Sequence, residues 1–231
     1  MVLFLDFDGC LVNIAASPES IEIPEELPRL LNYAYYRMDS RVVLVSGRPT
    51  ETILQYLPSF AGPVYGSHGS EVQFDGLRVP LIEVSTEAGD IVKLIRDFAD
   101  HHDGMQFEQK PMSFAVHYRN CPQNEPVVRQ FMQDLASVHP DLELQEAKMA
   151  LELKPVGADK GRAILDAMER YGWTDKKPIH IGDDVTDEKA FSVLDQYGGF
   201  GVKVGDGATV ANYHVPTPKA VRELLQRWIA A

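Results

Sequence analysis

Two aspartates, Asp6 and Asp8, follow the apolar run Val2–Leu5 in the segment DFDGC, and two more, Asp183 and Asp184, follow residues 179–181 in GDDVTDE. Carboxylates gathered at the ends of buried strands repel one another unless they share a proton or hold a cation. Together the four make an oxygen-rich set suited to a hard divalent metal such as Mg2+. Asp187 and Glu188 equally suit the first turn of a helix, where the dipole favours acids. The run Val42–Val45 ends in Ser46, Gly47 and Arg48, just ahead of Pro49. A hydroxyl with free backbone amides at that point suits a phosphoryl oxygen, and equally an ordinary helix N-cap. Lys160, in KPVGADKGR, opens a helical pattern where a cation opposes the dipole, which argues for an anion beside it; a surface lysine with a packed stem is the plain alternative.

The elements that must position these groups are legible as hydrophobic patterns. Apolar, β-branched runs ending in polar residues or glycine read as buried strands at Val2–Leu5, Val42–Val45, residues 63–65, residues 179–181 and Phe200–Val204. Helical spacing predicts helices over 24–38, 49–57, 160–171 and 187–194, with a closing helix over 219–229. Strands alternating with helices imply a doubly wound parallel sheet of the Rossmann-like α/β class, whose carboxyl edge is the usual ligand crevice. The middle of the chain departs from that rhythm. It shows strand character at 76–80 and 113–118, amphipathic helical patterns over 86–101 and 126–138, and strand alternation over 142–153. This predicts a smaller α+β domain at 77–155, inserted into a core made of residues 1–76 and 156–231.

A length of 231 residues accommodates one large domain or two modest ones. With 45% hydrophobic and 24% charged residues the composition is that of a globular protein, which excludes a disordered chain. No apolar run approaches the roughly 18 residues of a membrane span, so no membrane association is expected. Cys10 and Cys121 stand too far apart in sequence for a disulfide framework or a zinc cluster, and the N-terminal run has no basic lead, so the expected location is cytoplasmic. Lys and Arg number 22 against 34 Asp and Glu, a net charge of −12 that repels the phosphates of nucleic acid and makes such a partner unexpected. An anionic small substrate meets the same field and needs a local cation or backbone amides to offset it.

In their order, DFDGC, the serine of VSGR, Lys160 and GDDVTDE resemble the four motifs of the haloacid dehalogenase (HAD) superfamily of phosphatases. SGRPTETI, GSHGSE at 66–71, FEQKPMSFAVHYR at 107–119, LELKPVGADKG at 151–161 and IGDDVTDEKAF extend the resemblance, across almost the whole chain, to the trehalose-6-phosphate phosphatase family. The resemblance implies a HAD-like core with the insert as a C2-type cap, dependence on Mg2+, and hydrolysis of a small sugar phosphate, trehalose 6-phosphate, to trehalose and phosphate. It assigns Asp6 as the nucleophile that becomes an aspartyl phosphate, and Asp8 as acid to the leaving sugar oxygen and then base to water. Metal ligands would be Asp6, the backbone carbonyl of Asp8, and Asp183. Ser46 and Lys160 would bind phosphoryl oxygens, with Gly47 and Arg48 beside them, while Asp184 and Asp187 position Lys160 and the metal's waters. Glu108 and Lys110 match an E-x-K segment that faces the sugar in that family, and Glu152 matches an E-L-x-P segment. Arg119, with His117 and Tyr118 as weaker candidates, and His68 and Gly69 complete the implied substrate contacts. Coupling to a trehalose-6-phosphate synthase would occur in trans.

Cys10 departs from the superfamily pattern, which commonly has Thr after the glycine. The loss of a hydroxyl donor implies a modest effect on the loop carrying Asp8, and sensitivity to oxidation if the thiol is exposed. Two rival readings stay open at this point. One is a related capped phosphatase acting on another sugar phosphate, such as sucrose phosphate or mannosyl-3-phosphoglycerate. The other is a phospho-acceptor signalling domain, whose sheet also presents acids, Mg2+ and a lysine.

Overall fold

The computed structural model describes residues 1–15, 20–82, 88–147 and 149–230. The chain runs through β1 (Val2–Leu5), α1 (Leu27–Arg37), β2 (Val42–Val45), α2 (Thr50–Tyr56), β3 (Val64–Gly66), β4 (Glu71–Phe74) and β5 (Leu77–Pro80). It continues through α3 (Ala88–Asp100), β6 (Gln106–Gln109), β7 (Phe114–His117), α4 (Glu125–Val138), β8 (Leu142–Ala147) and β9 (Ala150–Pro155). The last stretch is α5 (Lys160–Arg170), β10 (Pro178–Gly182), α6 (Thr186–Val193), β11 (Phe200–Val204), β12 (Tyr213–Val215) and α7 (Pro218–Ala230). Two compact units result, Met1–Leu81 with Asp159–Ala231, and Ile82–Ala158.

The first unit is built on an eight-stranded sheet in the order β12-β11-β10-β1-β2-β3-β4-β5. The strands from β12 to β3 are parallel, and β4 and β5 add an antiparallel hairpin at one edge. Every residue of β1, β2 and β10 is buried, as expected of parallel strands covered on both faces, and β1 and β2 are continuous apolar runs rather than alternating ones. Alternation is still present in the packing. Leu3, Leu5, Val42, Leu44, Ile179 and Ile181 face α1, α2 and α7, whereas Val2, Phe4, Val43 and Val45 face α5 and α6. The parallel doubly wound α/β architecture is thus the one expected from the alternating pattern.

Several elements differ from expectation. Residues 77–80, expected in the insert, form β5, which pairs with β4 and so belongs to the core sheet; the chain leaves that unit after Leu81 rather than after Gly76. Strand β4 carries no clear alternating signal, because Glu71 is a buried acid at its start. The single strand pattern over 142–153 resolves into the hairpin β8–β9. The expected helix start at Thr86 lies outside the described residues, and α3 runs from Ala88.

The second unit has a four-stranded antiparallel sheet in the order β6-β7-β9-β8. One face is apolar: Phe107, Phe114, Val116, Leu142, Leu144, Leu151 and Leu153 pack on Ile91, Ile95 and Ala99 of α3 and on Val128, Met132 and Leu135 of α4. The other face carries Glu108, Ala115, Glu152 and Gln145 in one row across the strands. Period-2 alternation therefore gives this sheet a greasy side and a polar side. Leu153 is wholly buried in the greasy side. Leu153→Ala is expected to lower the free energy of unfolding by about 2–5 kcal/mol in urea denaturation, and a loss below about 1 kcal/mol would argue against this packing.

Candidate active site

Strands β10, β1 and β2 are parallel neighbours, so the residues that follow them meet at one edge. The ladder continues a step beyond the strands: Asp6 N donates to Ile181 O at 2.9 Å, and Ser46 N donates to Tyr65 O at 2.9 Å. Asp6 and Asp183 come from the ends of β1 and β10, and Asp187 from the first turn of α6. Their carboxylate oxygens lie within 4.8 Å of one another, the one such group of acids among the described residues. Lys160, the first residue of α5, closes the set. Its Nζ lies 2.8 Å from Asp6 Oδ1 and 2.8 Å from Asp187 Oδ1, with 3% of the side chain exposed.

Burial dominates the electrostatics. It pushes the Asp6 carboxyl well above the ordinary range against the pull of Lys160, with Asp187 and Asp183 adding to the rise. Burial and then the charge of Asp187 push Asp183 up to about 6. Asp187 goes the other way: burial opposes it, but Lys160 and a hydrogen bond from His180 hold it well below the usual range. Burial likewise opposes the charge on Lys160, and Asp187 and Asp6 outweigh it, raising its pKa. Lys160 offsets one of three acids, and the remaining two fit the charge of a divalent cation in a site whose donors are hard oxygens. The acceptor capacity of Asp187 is already committed, Oδ1 to Lys160 and His180 and Oδ2 to Asp184 N at 3.0 Å, which makes it the most fully bonded of the three acids.

Asp8 stands apart from this cluster. Arg48 grips both its oxygens, Nε on Oδ2 at 2.6 Å and Nη2 on Oδ1 at 2.8 Å. The loop carrying Asp8 is braced by Arg222 of α7, which donates to Leu11 O at 2.8 Å, and by the thiol of buried Cys10, which donates to Ile181 O at 3.3 Å. Burial raises the Cys10 thiol well above its usual pKa, so this position is neither exposed nor a reactive thiolate. Gly9, at φ +71°, carries the carboxylate of Asp183 directly over its Cα, where a Cβ would come within 2.0 Å of Oδ2.

Ser46 is buried, and its Oγ accepts from Arg48 N at 3.1 Å. Gly47 packs against the imidazole of His68, and Gly69 against Asp159 and Ala163 at the start of α5. Ser67, His68 and Gly69 all have positive φ, a strained run of the kind found at functional sites. It is held by Glu71, whose Oε1 accepts from Ser67 Oγ and Thr50 N, both at 3.0 Å, and whose Oε2 pairs with Arg78.

In the second unit, Glu152 is buried and bound by Lys110 Nζ at 2.8 Å and by the Ser113 hydroxyl. Glu108 pairs with His117 Nε2 at 2.8 Å on the same polar face. Lys154 is buried with Glu143 at 2.7 Å. Tyr118 is packed in the apolar cluster, a structural role, whereas Arg119 is exposed.

One sequence expectation is corrected. Asp184 does not reach Lys160: its side chain is exposed, its Oδ1 accepts from Val185 N at 2.7 Å, and only its backbone serves Asp187, the N–H donating to Oδ2 and the carbonyl accepting from Asp187 N, both at 3.0 Å. Two supporting residues escaped the sequence reading. His180, in the middle of β10 and fully buried, holds Asp187 Oδ1 at 2.7 Å, with Nδ1 lacking a hydrogen-bond partner among the described residues. Lys203 of β11 donates to the backbone carbonyl of Asp183. A polar residue in an otherwise apolar buried run is the signal both carry.

A doubly wound sheet with acids at the ends of adjacent strands is the fold class that HAD-like hydrolases share. The fold superposes on a haloacid dehalogenase-like hydrolase from Bacteroides thetaiotaomicron with a TM-score of 0.73, covering 98% of each chain at 17% identity. Within that class the chain belongs to the trehalose-phosphatase family, whose sequence profile matches residues 4–218. It is 31% identical over 213 residues to the trehalose-6-phosphate phosphatase of Escherichia coli K12, covering 92% of this chain and 80% of that one. The crystal structure of a trehalose-6-phosphate phosphatase related protein is similar at a TM-score of 0.86 and 28% identity, covering 100% of this chain and 97% of that one. The protein is accordingly a phosphoric monoester hydrolase. Among the described residues no helix is long and apolar enough to cross a membrane.

The raised carboxyl of Asp183 gives a pH signature. Its pKa is about 6 folded against 3.8 as the ordinary value, so the folded state keeps a proton that the unfolded state has released between those limits. In metal-free buffer, wild type is therefore expected to lose stability relative to Asp183→Asn as the pH rises from 4 through 6, by on the order of 2–3 kcal/mol, and to level off above that. Chemical denaturation of both proteins across this range checks it; a difference that stays constant with pH would refute the assignment.

Proposed function

We propose that this chain hydrolyses trehalose 6-phosphate to trehalose and inorganic phosphate through an aspartyl phosphate on Asp6. The observation that carries this reading is the buried Asp6–Lys160–Asp187 group at the strand ends, in a chain of the trehalose-phosphatase family. Lys160 grips Asp6 Oδ1 and so fixes the plane of the carboxylate that attacks phosphorus in line. The P–O bond to the sugar breaks, and Asp8 gives a proton to the departing oxygen. Asp8 then takes a proton from the water that attacks the aspartyl phosphate, which releases phosphate and restores Asp6.

Arg48 holds Asp8 by both oxygens, which fixes the orientation of the carboxylate for the base step. Acid work requires that fork to open, which releases Arg48 for a phosphoryl oxygen. The Ser46 hydroxyl, the Gly47 amide and Lys160 are the remaining phosphoryl-binding groups in this reading. Asp6, Asp183 and the backbone carbonyl of Asp8 would hold a divalent cation, and an all-oxygen donor set favours Mg2+. When bound, such a cation screens the nucleophile from the phosphoryl oxygens and neutralises charge at phosphorus.

Sugar recognition is assigned to the polar face of the four-stranded sheet, through Glu108, Lys110 and Glu152 with Arg119, and to His68 and Gly69 in the core. Paired acids and cations on that face offer directional acceptors and donors to sugar hydroxyls. A cytoplasmic location and a synthase acting in trans as the source of substrate belong to the same reading.

Phosphate release is to be measured with Mg2+ and with chelator on trehalose 6-phosphate, sucrose 6-phosphate, glucose 6-phosphate, mannosyl-3-phosphoglycerate and p-nitrophenyl phosphate. A large preference for trehalose 6-phosphate, lost with chelator, is the expected outcome; equal activity on all five would strike the substrate assignment. Asp6→Asn is expected to lower turnover by at least about 1,000-fold without loss of melting temperature, since a nucleophile and a buried acid are removed together. Residual turnover within tenfold of wild type would overturn the nucleophile.

A further inference from the structure

On the polar face of the four-stranded sheet, most of the acids are matched with a fixed cation. Glu152 has Lys110, and Glu143 has Lys154. Glu108 differs: the group on its Oε2, at 2.8 Å, is His117 Nε2. Strand register explains how they meet. Glu108 stands opposite Ala115 and His117 opposite Gln106, so the two are diagonal neighbours on one face. Their neighbours Ala115 and Ala150 carry only methyl groups, so no larger side chain on those strands blocks the diagonal. Both side chains are about one-third exposed, so the pair is open to solvent rather than sealed in a core.

An imidazole differs from a lysine in what it leaves behind. Bound through Oε2 alone, Glu108 is oriented by the His117 ring and keeps Oε1 as an acceptor. The hydrogen bond from His117 is the main reason the Glu108 carboxyl lies below its ordinary pKa, against burial and with help from Lys110. An oriented carboxylate accepts from neutral hydroxyls and repels a second anionic group.

We propose that His117 is a positioning residue for substrate selection: by fixing Glu108 as an oriented acceptor it tunes this face to the neutral hydroxyls of a sugar and against sugar phosphates that carry an additional carboxylate. This rests on the phosphatase reading above and adds to it the device that chooses among sugar phosphates. His117 acts through Glu108 and touches no reacting atom.

The test is steady-state kinetics of wild type, His117→Phe and His117→Gln on trehalose 6-phosphate, mannosyl-3-phosphoglycerate and p-nitrophenyl phosphate, with melting temperatures alongside. Gln places an amide N–H where Nε2 stood, and Phe does not. His117→Phe is expected to raise KM for trehalose 6-phosphate about tenfold with kcat within about twofold, the size of one lost charged hydrogen bond. Turnover of p-nitrophenyl phosphate should not change, and the preference for trehalose 6-phosphate over mannosyl-3-phosphoglycerate should narrow by a similar factor. His117→Gln should recover most of the KM. An unchanged KM in His117→Phe, or equal losses in Phe and Gln variants together with lowered melting temperatures, would overturn the role of His117. If His117→Phe does not fold, His117→Asn, too short to reach Glu108, takes its place with the same expected KM. Wild type that turns over p-nitrophenyl phosphate but not trehalose 6-phosphate would instead strike the substrate reading itself, and this inference with it.

Discussion

Three carboxylates within 4.8 Å of one another, two of them almost wholly buried, set the terms for everything around them. Taking an ion out of water costs several kcal/mol unless partners replace the lost hydration, and like charges add to that. Lys160 answers part of the problem by bridging Asp6 and Asp187 with one ammonium. What remains is handled by division of labour. Asp187 is saturated by Lys160, His180 and the Asp184 amide, so it stays charged, whereas the less compensated Asp6 and Asp183 have their carboxyls pushed up.

The backbone is arranged to let these groups approach. Parallel neighbours β10, β1 and β2 end at one edge, so each strand delivers its terminal side chain to the same place without long loops. Two close approaches are possible only at glycine: Asp183 over Gly9, and Asp187 over Gly182, where a Cβ would lie 2.2 Å from the carboxylate carbon. Further out, Lys203 holds the carbonyl of Asp183 and Arg222 the loop of Asp8. Glu71 keeps the left-handed Ser67–Gly69 turn in shape through hydrogen bonds to Ser67 and to the start of α2. The support for the chemistry is thus drawn from both edges of the sheet.

Much of this was legible in the amino-acid order. Buried parallel strands have no solvent face, so β1 and β2 stand out as unbroken apolar runs, and the polar residues that follow them, Asp6 and Ser46, are conspicuous. Hairpin strands with mixed faces are harder. β4 opens on a buried acid and β5 is exposed throughout, so neither advertises its membership of the core sheet. The roles of His180 and Asp184 were hidden for a different reason. Spacing along the chain says which acids gather at an edge, but which one turns inward depends on the rotation of α6. That rotation places Asp187 against Lys160 and leaves Asp184 in solvent.

Among the strand pairings of the core sheet, β1 with β10 spans the longest separation in sequence: Leu3 pairs with Ile179. The strands of the inserted unit, in contrast, pair within a continuous stretch of chain, Ile82–Ala158. Pairing that waits for distant residues is slow and carries a larger loop-closure cost. As the chain emerges from the ribosome, the insert has all its partners before β10 exists, while β1 must wait with its whole apolar length unmatched on one side. The inserted unit is therefore complete first, and β1 acquires its second partner, and Asp6 its neighbours, only after β10 has been made.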